Sequence, residues 1–193
     1  MRTSWPLLME EISACSRCRL CETRTNVVPG EGDPQARLMF IGEGPGRDED
    51  LQGRPFVGRS GELLTRMIRA IGIERDEVYI CTVVKCRPPQ NRNPETDEAA
   101  ACLNYLRAQV ALVRPQVVVL LGKIACRYTL QQEISVMREH GTWFERKGVW
   151  FIPTYHPSAL LRNPALKRDS WDDFQKIREK LGEMDAAGEA HGE

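Results

Sequence analysis

The stretch Leu38-Met-Phe-Ile-Gly-Glu-Gly-Pro-Gly46 decides the fold prediction for this chain of 193 residues. Its first half is a short apolar run typical of a buried strand, and its second half is a glycine-rich turn. Two further runs of the same kind follow, at Val78 to Val84 and at Val117 to Leu121. Near-continuous apolarity is typical of parallel strands that are covered on both faces.

Amphipathic helical patterns lie between these apolar runs. Each pattern places an apolar stripe on one face of a predicted helix. The first helix is predicted to end at Gly72, a residue type that commonly follows a helix, and the second to start at Asn93-Pro94 or Thr96. A hairpin around Arg146-Lys147-Gly148 and a last helix from Trp171 complete the pattern. The two stripes consist of Leu63, Leu64, Met67, Ile68 and Ile71, and of Ala99, Cys102, Leu103, Leu106, Val110 and Val113.

Alternating strands and helices indicate an α/β fold. We expect a three-layer α/β/α domain with a central, mostly parallel sheet of about four strands. A functional site should then lie beyond the carboxyl ends of the strands. We assign residues 1–183 to this domain and interpret residues 184–193 as an acidic flexible tail.

The composition excludes several classes of protein. Hydrophobic residues make up 41% and charged residues 28% of the chain, which argues against wholesale disorder and against a fibrous repeat. The longest aliphatic run, Val117 to Leu121, is too short for a membrane helix. Pro6, Glu10 and Glu11 stand where a signal peptide would need an apolar stretch. We therefore expect a cytoplasmic protein without membrane contact, and nothing in the sequence indicates more than a monomer.

Charge is balanced overall but unevenly distributed. The chain has 27 Lys and Arg residues and 27 Asp and Glu residues, so attraction to a polyanion must come from local clusters. Residues 83–94 and 146–168 contain basic side chains and no acid, whereas Glu43, Asp48 and Glu49 share one predicted loop. The pattern indicates a cationic groove around a carboxylate-bearing site, although solvated charge runs are equally common.

Seven cysteines in a cytosolic chain favour metal or catalytic roles over disulfides. Cys15 and Cys18 form a Cys-x2-Cys pair, which Cys21 extends, and such spacing can aim thiolates at one zinc ion or iron-sulfur cluster. The alternative, a buried apolar cysteine, suits Cys81 and Cys126, since both lie in predicted elements.

Three unusual motifs each follow a predicted strand. They are residues 42–46, residues 85–92 and His156-Pro157-Ser158. The first resembles a dinucleotide-binding loop, but Pro45 interrupts it and the next helix is predicted only near Ser60, so we reject that interpretation. Phe56, flanked by Pro55 and glycines, is predicted to be a stacking platform, with a core position as the alternative.

The third motif continues into two leucines and an arginine. A lone histidine such as His156 is more often structural than catalytic. Here, Leu160 and Leu161 beside Arg162 in an acid-free region predict a wedge that enters a nucleic-acid stack while the arginine holds phosphate.

With these residues in view, the chain resembles the family 4 uracil-DNA glycosylases, the iron-sulfur class of bacteria and archaea. The resemblance runs from about Cys15 to the last helix. It is carried by four motifs, which are Gly42-Glu-Gly-Pro-Gly-Arg-Asp-Glu-Asp50, Gly53-Arg-Pro-Phe-Val-Gly-Arg59, Val84-Lys-Cys-Arg-Pro-Pro-Gln-Asn-Arg92 and His156-Pro-Ser-Ala-Leu-Leu-Arg162.

The resemblance implies a function in base excision repair. Such an enzyme flips uracil out of single- or double-stranded DNA and hydrolyses its N-glycosidic bond, which leaves an abasic site. It also implies a four-iron four-sulfur cluster held by Cys15, Cys18, Cys86 and Cys102. Cys21 is then a neighbour of the cluster and not a ligand.

The resemblance further implies a role for each motif residue. His156 would donate a hydrogen bond to uracil O2, Phe56 would stack on the base, and Glu43 is the candidate that positions water, with a loop-organising role as its alternative. The remaining base-pocket residues would be Gly42, Gly44, Thr82 and Asn91. The DNA-binding residues would be Lys85, Arg87, Arg92, Ser158, Leu160, Leu161 and Arg162, with Leu160 or Leu161 filling the vacated stack.

Two positions depart from the family pattern. Gly44 occupies the place where related families carry a water-positioning acid, and Thr82 stands where an Asn that reads uracil is expected. A hydroxyl cannot make the paired contact of an amide, so strict uracil selectivity is in doubt. A non-catalytic or broader-specificity sensor of deaminated bases is therefore the alternative function, and an electron carrier is a third. The segment from Pro88 to Arg92 has no inserted reactive histidine, so covalent trapping on DNA is not expected.

Overall fold

A computed structural model describes residues 4–189 of the chain. The helices among them are α1 (Trp5–Ser13), α2 (Arg47–Gln52), α3 (Arg59–Ala70), α4 (Thr96–Val113), α5 (Lys123–Leu130), α6 (Val136–Glu139), α7 (Pro157–Arg162) and α8 (Lys167–Glu189). The strands are β1 (Glu31–Gly32), β2 (Leu38–Gly42), β3 (Tyr79–Thr82), β4 (Val117–Leu121), β5 (Phe144–Arg146) and β6 (Val149–Thr154). Short 3-10 helices lie at Arg19–Glu22, Arg75–Glu77, Pro89–Asn91 and Pro164–Leu166.

The strands form one sheet in the order β1-β3-β2-β4-β6-β5. The four central strands are parallel, and the two edge strands are antiparallel to their neighbours. The predicted α/β class with a mostly parallel sheet is therefore confirmed. The expected number of about four strands fits the parallel centre, and β1 was missed because two residues cannot display a periodic pattern.

Helices cover both faces of the sheet. Phe40 of β2 points to the face on which α3 and α8 pack, where Leu64 and Phe174 join it in one apolar cluster. Its neighbour Ile41 points to the other face, which is covered by α4 and α5. Strand side chains alternate between faces, so one apolar run supplies both cores.

Two predicted helix boundaries need correction. A short helix, α2, begins at Arg47 directly after the glycine loop, whereas the next helix was expected near Ser60. Its polar composition hides it, because only Asp50 of its six residues is buried. The last helix begins at Lys167, before Trp171, and it continues through Glu189. Residues 184–189 are thus helical, residues 190–193 lie outside the described range, and the domain boundary at residue 183 stays a prediction.

The predicted hairpin forms as β5 and β6. Lys147 and Gly148 connect the two strands, and both have positive φ, at 53° and 79°. This pair of angles is typical of a type I′ turn, whose twist matches that of the flanking strands. No helix within residues 4–189 has the length and apolarity needed to cross a membrane.

Candidate active site

The loops that follow the four parallel strands meet around one cavity of about 650 Å³. This size is typical of small-molecule pockets and suits a single nucleotide base. Its walls include most of the predicted catalytic and base-binding residues. They are Glu43, Gly44, Phe56, Thr82, Asn91 and His156, joined by Arg92, Ser158 and Arg162 from the predicted DNA-binding set.

The glycine loop after β2 packs too tightly for larger residues. A Cβ atom on Gly42 would lie 2.5 Å from Cζ of Phe56, and one on Gly44 would lie 2.7 Å from Cγ2 of Val84. Gly42 thereby lets the Phe56 ring approach the strand end. Gly44 likewise lets the loop pack closely against Val84 in the segment after β3.

Glu43 lines the cavity with a carboxyl group that forms no hydrogen bond within residues 4–189. Burial raises the pKa of Glu43, and the positive charge of Arg162 partly opposes this shift. Glu49 organises the loop instead. Its Oε1 accepts hydrogen bonds from the N–H groups of Val57 and Gly58 at 3.0 and 3.1 Å, and its Oε2 accepts one from Gly46 at 3.1 Å. Glu43 is therefore free for chemistry in the cavity.

Phe56 is buried, with 6% of its surface exposed, yet it lines the cavity. Its backbone has φ of 50°, an uncommon value for a non-glycine residue. Gly61 makes this conformation possible, because a Cβ atom there would lie 1.9 Å from the Phe56 carbonyl oxygen. The Phe56 ring lies 5.5 Å from the His156 ring, tilted by 33°. The two rings form one aromatic corner of the cavity.

His156 caps the N-terminus of α7. Its Nδ1 accepts a hydrogen bond from the Ser158 backbone N–H at 3.1 Å and lies 2.8 Å from the Ser158 hydroxyl. Burial, with a smaller effect from Arg162, lowers the pKa of His156 to about 4. The imidazole is therefore neutral at physiological pH, with its proton on Nε2, which has no partner within residues 4–189.

Thr82 ends β3 at the wall of the cavity, and its side chain is 2% exposed. Its hydroxyl donates a hydrogen bond to the Val84 carbonyl oxygen at 2.7 Å. Because its only proton is used there, this hydroxyl can act towards a base only as an acceptor.

Lys85 does not face DNA. It is 2% exposed, and its ammonium group donates a hydrogen bond to the Thr82 carbonyl oxygen at 2.6 Å. The prediction that Lys85 binds phosphate is wrong, because the chain turns inward after β3 and buries the lysine beside the cysteines. Sequence reasoning missed this since an acid-free basic stretch looks the same whether it faces solvent or the interior.

Arg92 is held by an acid from α4. Its guanidinium makes two hydrogen bonds to Glu98, at 2.7 and 2.8 Å, and Glu98 has no exposed surface. These bonds are the largest cause that lowers the pKa of Glu98 to about 2. Arg92 is thus a structural partner of Glu98, and its contact with phosphate stays a prediction. Arg87 donates to Asn91 Oδ1 at 2.7 Å, which orients that amide at the cavity rim.

The segment after His156 separates its two leucines. Leu160 is 1% exposed and packs with Leu63 and Tyr155, so the prediction that it could fill a DNA stack is wrong. Leu161 is only partly buried and remains the wedge candidate. Arg162 is exposed, and no carboxylate lies within 4.0 Å of it in the described part of the chain.

Several cavity residues were not predicted from sequence. Gly122 and Lys123 follow β4, so the rule that sites follow parallel strands would have found them. Gly122 has φ of 88°, and a Cβ atom on it would lie 3.1 Å from that of His156. Met137, which is 78% exposed on the four-residue helix α6, and Tyr155 carry no sequence signal of this kind.

A second, smaller cavity lies on the side of the sheet covered by α4. Cys15, Cys18, Cys86 and Cys102 all line it, and Cys21 joins them. Cys81 and Cys126 are fully buried in the core, as expected for apolar cysteines. No three Cys, His, Asp or Glu side chains within residues 4–189 are arranged to hold a single metal ion.

The cysteine cavity nevertheless suits a larger iron-sulfur cluster. Such a cluster takes one thiolate at each of four corners, so its ligands surround a space and do not meet at a point. The four cysteines come from three separate segments and line one cavity together with the basic residues Arg17, Arg24 and Lys85. Arg24, which the sequence analysis did not single out, donates a hydrogen bond to Cys86 Sγ at 3.1 Å.

Comparison with known proteins shows the family to which the chain belongs. The model of the Uracil DNA glycosylase superfamily matches residues 29–182. The type-4 uracil-DNA glycosylase of Sulfurisphaera tokodaii is 47% identical over 181 residues, which cover 89% of this chain and 82% of the relative. The type-4 enzyme of Thermotoga maritima is 46% identical over 178 residues, covering 89% and 92%. A type-5 uracil-DNA glycosylase of Thermus thermophilus is 34% identical over 152 residues, covering 68% of each chain.

The superfamily match begins before β2 and includes every loop that lines the larger cavity, and the matches to the type-4 enzymes cover 89% of the chain. The chain belongs to the uracil-DNA glycosylase superfamily and, within it, to the type-4 family.

Proposed function

We propose that this protein is a DNA repair enzyme that flips uracil out of DNA and hydrolyses its N-glycosidic bond, leaving an abasic site. The observation that carries this proposal is the neutral His156 beside Phe56 in a cavity of base size, at 5.5 Å between rings. A base inside a duplex is inaccessible, so it must leave the stack to enter such a cavity.

His156 acts on the departing base. Cleavage of the bond places negative charge on uracil, and the Nε2–H group donates a hydrogen bond to O2 as that charge develops. A neutral donor serves here because it is already oriented by Ser158. Phe56 stacks on the face of the base and holds it against the histidine.

Glu43 acts on the sugar side of the bond. Its carboxylate accepts a hydrogen bond from a water molecule and directs the oxygen of that water towards the sugar carbon. The negative charge of the carboxylate also stabilises the positive charge that develops on the sugar. The lack of any hydrogen bond to the Glu43 carboxyl group within residues 4–189 supports this role over a loop-organising one, which Glu49 fulfils.

Thr82 sets the range of bases. Its hydroxyl accepts a hydrogen bond, since its proton is bound to Val84. Deamination converts a ring nitrogen that accepts into an N–H that donates, both in uracil and in hypoxanthine. We therefore expect Thr82 to admit deaminated bases in general and to reject cytosine and adenine, which leave this acceptor unpaired.

DNA is held at the mouth of the cavity by Arg162 and Ser158 of α7, with Leu161 filling the vacated position in the stack. Arg87 and Asn91 contact the strand from the opposite loop. The enzyme acts as a monomer in the cytoplasm on single- or double-stranded DNA.

Cys15, Cys18, Cys86 and Cys102 hold a four-iron four-sulfur cluster. When bound, the cluster supplies a cross-link that joins the segment after α1 to the loop after β3 and to α4. Because it lies away from the base cavity, it takes no part in bond cleavage.

The test of the activity is a single-turnover base-release assay. Oligonucleotides that contain uracil, hypoxanthine, cytosine or thymine are incubated with excess protein, and the free base is measured. We expect release of uracil, and loss of release in His156→Ala. Tight binding of uracil-containing DNA without release would instead establish the non-catalytic sensor.

The test of the cofactor is chemical analysis of anaerobically purified protein. We expect a brown protein that contains iron and sulfide. Cys86→Ser and Cys102→Ser should lose both and unfold more easily, whereas Cys126→Ser, a core cysteine, should keep the cluster. Stoichiometric zinc without iron would overturn the assignment.

A further inference from the structure

Lys85 is a buried lysine that makes no salt bridge within residues 4–189. Its side chain is 2% exposed, and its ammonium group has the Thr82 carbonyl oxygen at 2.6 Å and the Cys81 thiol as hydrogen-bonding neighbours. The lysine salt bridges found within residues 4–189 belong to Lys123 and Lys180. A buried charge without a partner is strongly unfavourable, so an anion beside this ammonium would stabilise it.

Arg24 is a second cation of the same kind. Its Nη1 donates to Cys86 Sγ at 3.1 Å, and it makes no salt bridge in the part of the chain that the structure describes. Arg17, on the same cavity, differs because it lies 4.0 Å from Glu11 and stacks on the Tyr105 ring. Lys85 and Arg24 therefore share one feature, since each has a cysteine sulfur and no salt-bridging carboxylate as its neighbour within residues 4–189. The sulfur beside Arg24 is that of the proposed ligand Cys86, whereas the sulfur beside the Lys85 ammonium is that of the core residue Cys81.

Both cations line the cysteine cavity, together with all four proposed ligands. The Lys85 backbone N–H also forms a hydrogen bond with the Cys102 sulfur. Four thiolates outweigh the positive charge of an iron-sulfur core, so a bound cluster is an anion at this position. Lys85 therefore lies beside the proposed site of the anion.

We propose that Lys85 and Arg24 are the counter-charges of the cluster, which they stabilise and whose reduction potential they raise. This inference rests on the proposed cofactor and goes beyond it, since neither residue is a ligand. Hydrogen bonds and positive charge at the sulfur atoms favour the more negative, reduced cluster. Lys85 should act more strongly than Arg24, because its charge is shielded from water.

The experiment measures the reduction potential of the cluster in the purified holoprotein by spectroelectrochemical titration. The variants are Lys85→Met and Arg24→Met, which keep side-chain length and remove charge, with Lys85→Arg and Arg24→Lys as charge-retaining controls. Arg107→Met, an exposed position on the same helix as Cys102, controls for the loss of one positive charge at a distance.

We expect Lys85→Met to lower the ratio of reduced to oxidised cluster at a fixed potential at least tenfold, which is about 59 mV for one electron. Arg24→Met should lower it less, and the charge-retaining variants and Arg107→Met should stay near the wild type. Iron and sulfide content, measured alongside, should decline faster under a chelator in Lys85→Met.

Equal potentials in Lys85→Met, Arg24→Met and Arg107→Met would overturn the inference. If Lys85→Met does not accumulate with a cluster, Arg24→Met decides the question, because its partly exposed side chain is tolerant of replacement. Uracil release is measured on the same samples. An active protein with an unchanged potential refutes the counter-charge role alone, whereas absent release refutes the proposed function.

Discussion

The backbone N–H of Ser158 donates a hydrogen bond to Nδ1 of His156 at 3.1 Å. A backbone N–H can only donate, so Nδ1 must carry a lone pair and the imidazole proton must be on Nε2. One hydrogen bond within the His-Pro-Ser segment thus fixes both the charge and the donor atom of the histidine that lines the base cavity.

His156→Ala should slow single-turnover uracil release by roughly two to three orders of magnitude, since losing one donor to a developing anion typically costs about 3 kcal/mol of barrier. Binding of uracil-containing DNA should change little, because the phosphate contacts are made elsewhere. Ser158→Ala is the matched control. This variant keeps the backbone N–H, so its rate of uracil release should fall much less. An equal fall in the rate of both variants would contradict the role of the backbone hydrogen bond.

Acid should inactivate the enzyme in two separable steps. His156 has a pKa of about 4, so its neutral donor persists at every higher pH and is lost only below that value. Glu43 has a raised pKa and should lose its carboxylate first as pH falls. The rate of uracil release should therefore fall as Glu43 becomes protonated, and this fall should be absent in Glu43→Gln. A wild-type rate that rises as pH falls towards 4 would count against both assignments.

Stability should also depend on His156. In the unfolded chain this histidine binds a proton near its ordinary pKa of about 6.5, whereas in the folded chain it does so only near 4. Between these values the unfolded state binds more protons, so the free energy of unfolding should fall as pH decreases from 6.5 to 4. Urea unfolding at both ends of this window, compared between wild type and His156→Gln, measures the effect, which should be smaller in the variant.

Glu43→Gln and Glu49→Gln should fail in different ways. Glu43→Gln should reduce the rate of release and leave the unfolding midpoint near the wild-type value, because the Glu43 carboxyl group forms no hydrogen bond within residues 4–189. Glu49→Gln should lower the midpoint, because it disturbs hydrogen bonds to Gly46, Val57 and Gly58. Thermal unfolding and release assays on both variants distinguish the two roles. A lower midpoint in Glu43→Gln and a slower release at normal stability in Glu49→Gln would mean that Glu43 organises the loop and Glu49 positions the water.

Thr82→Asn should narrow the range of bases. The amide supplies both a donor and an acceptor, so uracil should be favoured over hypoxanthine relative to the wild type. The larger side chain in a buried position should cost about 1–3 kcal/mol of stability. Release from a panel of deaminated bases, with Thr82→Val as the variant that lacks a hydroxyl, tests this. An unchanged panel in both variants would mean that other groups read the base.

Arg162→Ala should weaken DNA binding for all sequences alike and reduce the slope of log affinity against log salt by about one. Arg92→Ala should instead lower the unfolding temperature, because it leaves the buried Glu98 carboxylate without its bidentate partner. Binding titrations at several salt concentrations, paired with thermal unfolding, separate the two arginines. If Arg92→Ala has normal stability but a smaller slope of log affinity against log salt, Arg92 does contact phosphate.

The parallel centre of the fold and the position of the base cavity can both be predicted from the amino-acid sequence. Apolar runs such as Leu38 to Gly42 and Val117 to Leu121 can only be buried on both faces, and motifs placed after parallel strands must meet at one edge. Gly42, Phe56 and His156 could therefore be assigned to one site before any coordinates were known. The edge strand β1 and the polar helix α2 could not be predicted from the sequence, because neither has an apolar pattern.

The direction in which an individual side chain faces depends on how the elements pack in three dimensions. Lys85 and Arg162 look alike in a basic stretch, yet Lys85 is sealed beside the cysteines and Arg162 is exposed at the cavity. Leu160 and Leu161 are adjacent in the chain, and the turn of α7 buries the first and leaves the second at the surface. Burial is a property of all the elements that pack around a residue, so the local sequence cannot specify it.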